Sequence, residues 1–160
     1  MPTEYFERRE RALLGDRFDA LYATPQENAA RGVTVSALRA APEQFAARAD
    51  FPVNKTGNLE RLDAYGQGFF YVQDPASRLM ALASGAAPGM RVLDTCAAPG
   101  GKSSQLAAAL GGQGLLVSNE FVAARAEVLR SNLERMGVPN AVVLNEDTGR
   151  IAAALPEFFD

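Results

Sequence analysis

Three acidic residues follow three apolar runs of the sequence at similar intervals. Asp94 follows Val92 and Leu93, Glu120 follows residues 114–119, and Asp147 comes just after residues 141–145. Because the carboxyl ends of parallel strands meet at one edge of a sheet, we expect the three carboxylates to lie along one rim. Such a rim suits a ligand with a ribose diol, an amino group and a positive centre. It suits a triphosphate poorly, since like charges repel.

A pair of glycines, Gly100 and Gly101, follows the first of these acids. The run that comes next, residues 103–110, is mostly alanine, leucine and glutamine. This order predicts a strand, a tight loop and a helix. A helix that begins in this way directs backbone N–H groups and a positive dipole end at a ligand, and glycine lets the ligand approach the backbone closely. An ordinary strand-to-helix connection with two glycines is the alternative interpretation.

The common phosphate-binding and dinucleotide-binding patterns do not fit this loop. A P-loop requires glycine where this chain has Cys96, and residues 97–102 do not contain Gly-x-Gly-x-x-Gly. Glu120 lies 20 residues after Gly100, close to the interval at which an acid meets a ribose hydroxyl in doubly wound folds. S-adenosylmethionine has the ribose, the amino group and the positive centre that the acidic rim requires.

The run Asp-Thr-Cys-Ala-Ala-Pro-Gly-Gly-Lys at residues 94–102 resembles the first motif of the NOL1/NOP2/Sun family of RNA 5-methylcytosine methyltransferases. Residues 73–77, 118–120 and 145–147 also match the family's pattern in order and spacing. The bacterial ribosomal-RNA branch is the most similar one. The resemblance implies an α/β fold, namely a Rossmann-like S-adenosylmethionine-dependent methyltransferase fold. In this chain that fold is incomplete, with the first three parallel strands, and a small α+β N-terminal domain precedes it.

The resemblance also implies which residues bind S-adenosyl-L-methionine. The loop surrounds the methionine and ribose part, Glu120 binds the ribose hydroxyls and Asp147 reaches the adenine. The implied cofactor-binding residues are Cys96, Ala97, Ala98, Pro99, Gly100, Gly101, Lys102, Glu120 and Asp147. Lys102 either pairs with the cofactor carboxylate or faces solvent at the start of the helix. Asp94 either holds the loop or contacts the ligand, and Asn145 and Ser118 are alternatively turn formers.

The family's two cysteine motifs, Asp-x-Pro-Cys-Ser-Gly and a Thr-Cys-Pro-like segment, do not occur in these 160 residues. Those cysteines are the family's nucleophile and its partner in product release, so we assign no catalytic residue. The single cysteine, Cys96, lies in the predicted cofactor loop. We interpret it as a small buried residue and not as the nucleophile. The resemblance therefore predicts the N-terminal part of an enzyme, inactive by itself.

The leading functional hypothesis is an S-adenosylmethionine-dependent RNA methyltransferase that acts on cytosine C5, with ribosomal RNA as its expected substrate. In the intact family a cysteine thiolate adds to C6, so that C5 can attack the sulfonium methyl group. The alternative is a non-catalytic cofactor- or RNA-binding module. A P-loop phosphohydrolase is a more distant alternative, which Cys96 and the acidic rim disfavour.

Composition limits the other possibilities. The chain has 48% hydrophobic and 22% charged residues, one cysteine, no histidine and a net charge of −3. These values predict a folded, cytoplasmic protein without a membrane segment, a disulfide framework, a Cys/His metal site or a histidine base. Residues 1–73 carry 9 basic and 10 acidic residues, and residues 74–160 carry 7 and 9. Bulk charge therefore gives RNA binding no support.

The sequence predicts an N-terminal domain over residues 1–73 and the methyltransferase part over residues 74–160. In the first, two short helices over residues 3–23 are separated by Gly15, with Asp16 as a cap. A strand over 32–38 and a helix from Pro42 follow. The strand over 68–73 places Phe70 in the core, although its three adjacent aromatics are alternatively base-stacking residues.

Alternating strands and helices predict a parallel sheet in the second part. Asp74 is expected to cap a helix that starts at Pro75. The helix over 122–136 has a predicted apolar stripe of Val128, Leu129, Leu133 and Met136. In the doubly wound strand order 3-2-1-4, the first strand needs the fourth beside it and is an open edge here. We therefore expect this chain to be marginally stable or to self-associate, whereas the intact protein is expected to be a monomer.

Overall fold

A computed structural model describes residues 3–23, 32–39, 59–73 and 75–160. The chain divides into two compact units, residues 1–30 and 31–160. The domain boundary that the sequence suggests, at residue 73, stays a prediction. The predicted helix from Pro42 and the predicted cap Asp74 lie outside the described residues.

The first unit contains two helices, α1 (Glu4–Leu14) and α2 (Arg17–Tyr22), as predicted. Gly15 ends α1 with a positive φ of 54°. Asp16 occupies the N-cap position of α2, but it has helical backbone angles and its side chain makes no capping hydrogen bond. The predicted side-chain cap is therefore wrong. The two helices are joined by Arg11, whose guanidinium lies 2.9 Å from Asp19 and 4.1 Å from the centre of the Phe18 ring.

The second unit combines an antiparallel strand pair with a parallel sheet. In the pair, β1 (Gly32–Val35) lies beside β2 (Phe70–Gln73), and a short helix, α3 (Asp63–Gly66), precedes β2. The elements after the strand pair alternate: α4 (Pro75–Ala83), β3 (Arg91–Asp94), α5 (Gly101–Leu110), β4 (Leu115–Asn119), α6 (Ala123–Arg135), β5 (Ala141–Leu144) and α7 (Thr148–Ala154). The predicted helix start at Pro75 is confirmed.

The parallel sheet has the order β3-β4-β5, and neighbouring strands pair in register from Arg91 opposite Leu115 and from Leu116 opposite Ala141. The three carboxyl ends therefore lie side by side at one edge. This arrangement confirms the predicted α/β fold, with three parallel strands of a Rossmann-like sheet. No helix within the described ranges is long and apolar enough to cross a membrane.

Helices α5 and α6 supply most of the core that covers the sheet. Leu106, Ala107 and Leu110 of α5 pack with Leu116 of β4. Leu129 and Leu133 of α6 pack with Ala97 and Ala98 of the loop after β3. The predicted stripe of α6 is wrong at Val128, which is 49% exposed, because the buried face passes through Ala126 instead.

Helix α3 and strand β2 contact the end of α6 closely. Arg135 donates hydrogen bonds to the carbonyl oxygens of Tyr65 and Phe70, and its guanidinium lies 3.8 Å from the centre of the Tyr65 ring. Phe70 is fully buried, as the sequence predicts. Tyr71 is also buried, and desolvation raises the pKa of its hydroxyl to about 12. Burial in the core therefore explains the presence of Phe70 and Tyr71, two of the three adjacent aromatic residues.

Strand β3 has a paired strand on one side only among the residues that the structure describes. Near its start, the Arg91 N–H donates to the Asp160 carboxylate (2.8 Å), and the Asp160 N–H donates to the Arg91 carbonyl (3.0 Å). The hydrogen bond from the Arg91 N–H, together with the one from the Arg91 guanidinium, lowers the pKa of the Asp160 carboxyl. Val92 and Leu93 are half-buried and lie beyond this contact.

We expect this chain to self-associate, because an open edge strand offers unpaired N–H and C=O groups to a second molecule. Sedimentation velocity over a range of protein concentrations should show a rising average mass. A single monomeric species at every concentration, with a sharp and concentration-independent unfolding transition, would contradict this expectation.

Candidate functional site

Asp94, the last residue of β3, holds the start of the candidate site together. Its Oδ2 accepts a hydrogen bond of 2.7 Å from the Ser103 hydroxyl, and its Oδ1 accepts one of 3.3 Å from the Cys96 N–H. The Ser118 hydroxyl donates to Ser103 in turn, at 2.9 Å. Asp94 is 9% exposed and both serines are fully buried. Of the two roles that the sequence left open for Asp94, the structure shows the one that holds the loop, and Ser118 is a buried strand residue, not a turn former.

The segment of residues 95–100, which we call the glycine loop, joins β3 to α5. Its path is fixed by the Ala97 N–H, which donates to the Asn119 carbonyl (2.9 Å), and by the Gly100 N–H, which donates to the Ala97 carbonyl (2.8 Å). Gly100 is the N-cap residue of α5, with φ at 113°. The first N–H groups of a helix have no partner within the helix, so those of Gly101 and Lys102 are available at this rim.

The two glycines at the start of α5, Gly100 and Gly101, have little free space beside them within the protein itself. A Cβ on Gly100 would lie 3.3 Å from Leu129 Cδ1, and one on Gly101 would lie 3.1 Å from Gln73 Nε2 and 3.3 Å from Tyr71 Cε1. In addition, the positive φ of Gly100 strains any other residue. From the sequence, close approach of a ligand is the expected reason for these glycines. In the structure, the neighbouring side chains and the positive φ of Gly100 explain them.

Cys96 is exposed, so the prediction that its side chain is buried is wrong. The loop instead places Ala97 (3% exposed) and Ala98 (9%) in the core, where they pack against Leu129 and Leu133. Because two consecutive alanines fill the space under the loop, Cys96 is left on the outside. The Lys102 side chain is exposed as well, in the first turn of α5.

Glu120 follows β4 directly and is 6% exposed. Its Oε1 accepts a hydrogen bond of 3.0 Å from the Val122 N–H, and its Oε2 lies 3.6 Å from the Arg125 guanidinium. No structural partner of this acid is obvious from the sequence, and the structure shows two. The contacts hold the carboxylate in one position at the rim, and its remaining lone pairs can still accept hydrogen bonds. The neighbouring Phe121 is 70% exposed.

Asp147 is the N-cap residue of α7. Its Oδ1 accepts a hydrogen bond of 2.8 Å from the Gly149 N–H. The side chain is exposed, unlike that of Glu120. Asp147 thus has a structural partner of its own, which the sequence did not reveal, and its carboxylate is held at the rim by the capping interaction.

Two asparagines join the rim loops, and sequence reasoning missed one of them. Asn119, at the end of β4, is 1% exposed and exchanges two hydrogen bonds with the backbone of Glu146, at 2.9 and 3.0 Å. The Asn145 amide donates to the carbonyl oxygens of Glu120 and Phe121, at 2.7 and 2.8 Å. The Glu120 segment and the Asp147 segment are therefore fixed to each other.

The resulting site is a polar rim along the carboxyl ends of three strands. It combines the start of α5, the buried carboxylate of Glu120, the exposed Phe121 and the exposed carboxylate of Asp147. Within the described ranges, no acidic or cysteine side chains form a cluster arranged to hold a metal ion. The arrangement is suited to a ligand that carries an anionic group, a diol and a hydrogen-bonding base.

Comparison with known proteins agrees with this geometry. The family model for 16S rRNA methyltransferase RsmB/F matches residues 81–160, which contain the whole rim. The chain belongs to this family. Its resemblance to the bacterial ribosomal-RNA branch of the NOL1/NOP2/Sun proteins is thereby confirmed.

Among the curated proteins to which this chain is similar are two named ribosomal RNA small subunit methyltransferase F. The one from Vibrio atlanticus is 44% identical over 95 residues, which cover 58% of this chain and 20% of that protein. The one from Vibrio campbellii is 38% identical over 133 residues, which cover 82% of this chain and 27% of that protein. The chain thus spans about a fifth to a quarter of the length of these relatives.

Two solved structures share the fold. A methyltransferase homolog protein from Pyrococcus horikoshii has a TM-score of 0.80 at 23% identity, covering 96% of this chain and 55% of that one. NSun6 from Pyrococcus horikoshii, solved with SFG, has a TM-score of 0.58 at 27% identity, covering 61% of this chain and 25% of that one. The fold of this chain therefore has counterparts among solved structures.

Proposed function

We propose that this chain carries the S-adenosylmethionine site of a ribosomal-RNA methyltransferase that modifies cytosine at C5. The observation that carries the proposal is the juxtaposition, at one rim, of the first turn of α5, the fixed Glu120 carboxylate and the Asp147 carboxylate. The family and the names of its curated relatives support RNA methylation as the reaction, with RNA as the substrate.

The residues at the rim fit each part of this cofactor. The N–H groups of Gly101 and Lys102, with the positive end of the α5 dipole, suit the methionine carboxylate. Glu120 suits the ribose diol, because a carboxylate accepts two hydrogen bonds from neighbouring hydroxyls. Asp147 suits the adenine amino group, and the exposed ring of Phe121 offers an apolar surface to the base. The cofactor supplies an activated methyl group when it is bound.

Cys96 belongs to the glycine loop in this proposal and is not the nucleophile that activates cytosine. Because the Cys96 side chain is exposed, packing does not explain this residue. Its place in the glycine loop does, since the Cys96 N–H is bound to Asp94 and the next two residues lie in the core. The nucleophile belongs to the cysteine motifs of the intact family, and we propose that this chain alone binds cofactor without transferring the methyl group.

Calorimetric titration with S-adenosylhomocysteine tests the proposal. We expect the wild-type chain to bind, and Glu120→Gln to bind about 10- to 100-fold more weakly, because the amide loses one of the acceptors that the diol requires. The Gln side chain keeps the size of Glu120, which limits effects on packing. ATP serves as the control ligand and should not bind at the same concentrations.

Equal affinity of wild type and Glu120→Gln would remove Glu120 from the site. Binding of ATP that depends on magnesium would instead favour a phosphate-binding loop. Methyl transfer to RNA by this chain alone would contradict the proposal that it is inactive by itself.

A further inference from the structure

One side of α6 faces the glycine loop and offers it two hydrogen-bond donors. Arg125 and Asn132 are seven residues apart, or about two helical turns, and therefore lie on the same side of the helix. Leu129 lies between them, fully buried, and its Cδ1 is the atom nearest to the position that a Cβ on Gly100 would take. The loop thus rests on an apolar contact with a polar contact at each end.

The first polar contact is made by Arg125. Its Nη2 lies 3.1 Å from the Ala98 carbonyl oxygen and 3.6 Å from Glu120 Oε2. One guanidinium therefore joins the loop to the acid that we assign to the ribose. The Arg125 side chain is 58% exposed, so the ion pair itself contributes little to stability. The contact with Arg125 acts instead on position, because it holds the buried Glu120 carboxylate in one orientation at the rim.

The second polar contact is made by Asn132, whose Nδ2 donates a hydrogen bond of 2.8 Å to the Pro99 carbonyl. Its Oδ1 accepts one of 3.4 Å from Arg135 Nη2. Arg135 also donates to the carbonyl oxygens of Tyr65 and Phe70, so it fixes which end of the Asn132 amide faces the loop. Asn132 and Arg135 therefore connect the glycine loop to α3 and β2.

We infer that Arg125 and Asn132 are positioning residues for the glycine loop. Together they fix two consecutive peptide planes, those that begin at Ala98 and at Pro99, and so set the direction in which α5 starts. The inference rests on the proposed function for the ligand that the loop receives. The fixing of the loop does not depend on that ligand and can be measured in its absence.

Amide hydrogen exchange and calorimetry on the 160-residue chain test the inference. In Arg125→Ala and Asn132→Ala, we expect the amides of Cys96, Ala97 and Gly100 to exchange about tenfold faster, as loss of one hydrogen bond to the loop implies. Affinity for S-adenosylhomocysteine should fall by a similar factor. Arg130→Ala is the matched control, since Arg130 lies on the same helix and pairs with Glu127 and Glu134 on its surface.

A further variant separates positioning from packing. Asn132→Asp keeps the shape of the side chain but places a carboxylate against the Pro99 carbonyl, so it should speed loop exchange more than Asn132→Ala does. A role in packing alone predicts the reverse order. Loop exchange and affinity equal to those of Arg130→Ala in both alanine variants would overturn the inference. Faster loop exchange in a chain that binds no S-adenosylhomocysteine would support positioning and refute the proposed ligand.

Discussion

Gly68→Ala is expected to lower the free energy of unfolding by about 3–4 kcal/mol, among the largest effects of any single substitution in the chain. Gly68 has a φ of +77°, which strains any L-residue, and a Cβ at this position would overlap the Arg135 carbonyl group. The obstacle is backbone at the end of α6, so no side-chain rotation relieves it. Urea denaturation followed by far-ultraviolet circular dichroism measures the loss.

Gly66→Ala provides a control two residues away. Gly66 closes α3 without a positive φ, and a Cβ there would meet nothing within 4 Å. Its free energy of unfolding should stay unchanged or rise by up to about 1 kcal/mol, because alanine favours the helix. Equal stability of the two variants would show that Gly68, just before β2, does not lie as close to the Arg135 carbonyl group as described.

Asp94→Ala is expected to cost about 3 kcal/mol of unfolding free energy, because it leaves the buried Ser103 hydroxyl and the Cys96 N–H without their acceptor. Both serines in the network are fully buried, so water does not readily replace the carboxylate. The glycine loop begins at this carboxylate, and we therefore expect weaker binding of S-adenosylhomocysteine as well. Denaturation and titration of the same preparation measure the two effects.

Asp94→Asn is the matched variant for this network. Its amide can donate to Ser103 Oγ while its oxygen accepts from the Cys96 N–H, so the two serine hydroxyls can reorient to keep the network paired. A loss of about 1 kcal/mol is expected, well below that of the alanine variant. If the alanine variant were as stable as wild type, the network would not be what holds the loop.

Much of the fold follows from local patterns in the sequence. The runs that lead to Asp94, Glu120 and Asn145 predict parallel strands, and Pro75 marks a helix start that the structure confirms. The rim also follows, because parallel strands place their carboxyl ends together whatever the side chains do. The motif of residues 94–102 indicated the family, since its length and composition make a chance match improbable.

The contacts that fix the site could not be predicted in the same way, because they join residues distant in sequence. Nothing near Asn132 indicates that its amide meets the Pro99 carbonyl, and nothing near Asn119 indicates its two bonds to Glu146. The burial of Cys96 is a prediction from its residue type and its place in the predicted loop. In the structure Ala97 and Ala98 take the core positions, and only the path of the loop decides which of three small residues faces outward.

Nuclear magnetic resonance can locate the ligand directly if the rim formed by α5, Glu120 and Asp147 binds S-adenosylmethionine. A titration of the ¹⁵N-labelled chain with S-adenosylhomocysteine should shift the amide signals of Gly101, Lys102, Phe121 and Thr148. The amides of α1 should not shift. Shifts confined to residues away from the rim, or none at a saturating concentration of ligand with a folded chain, would contradict the account.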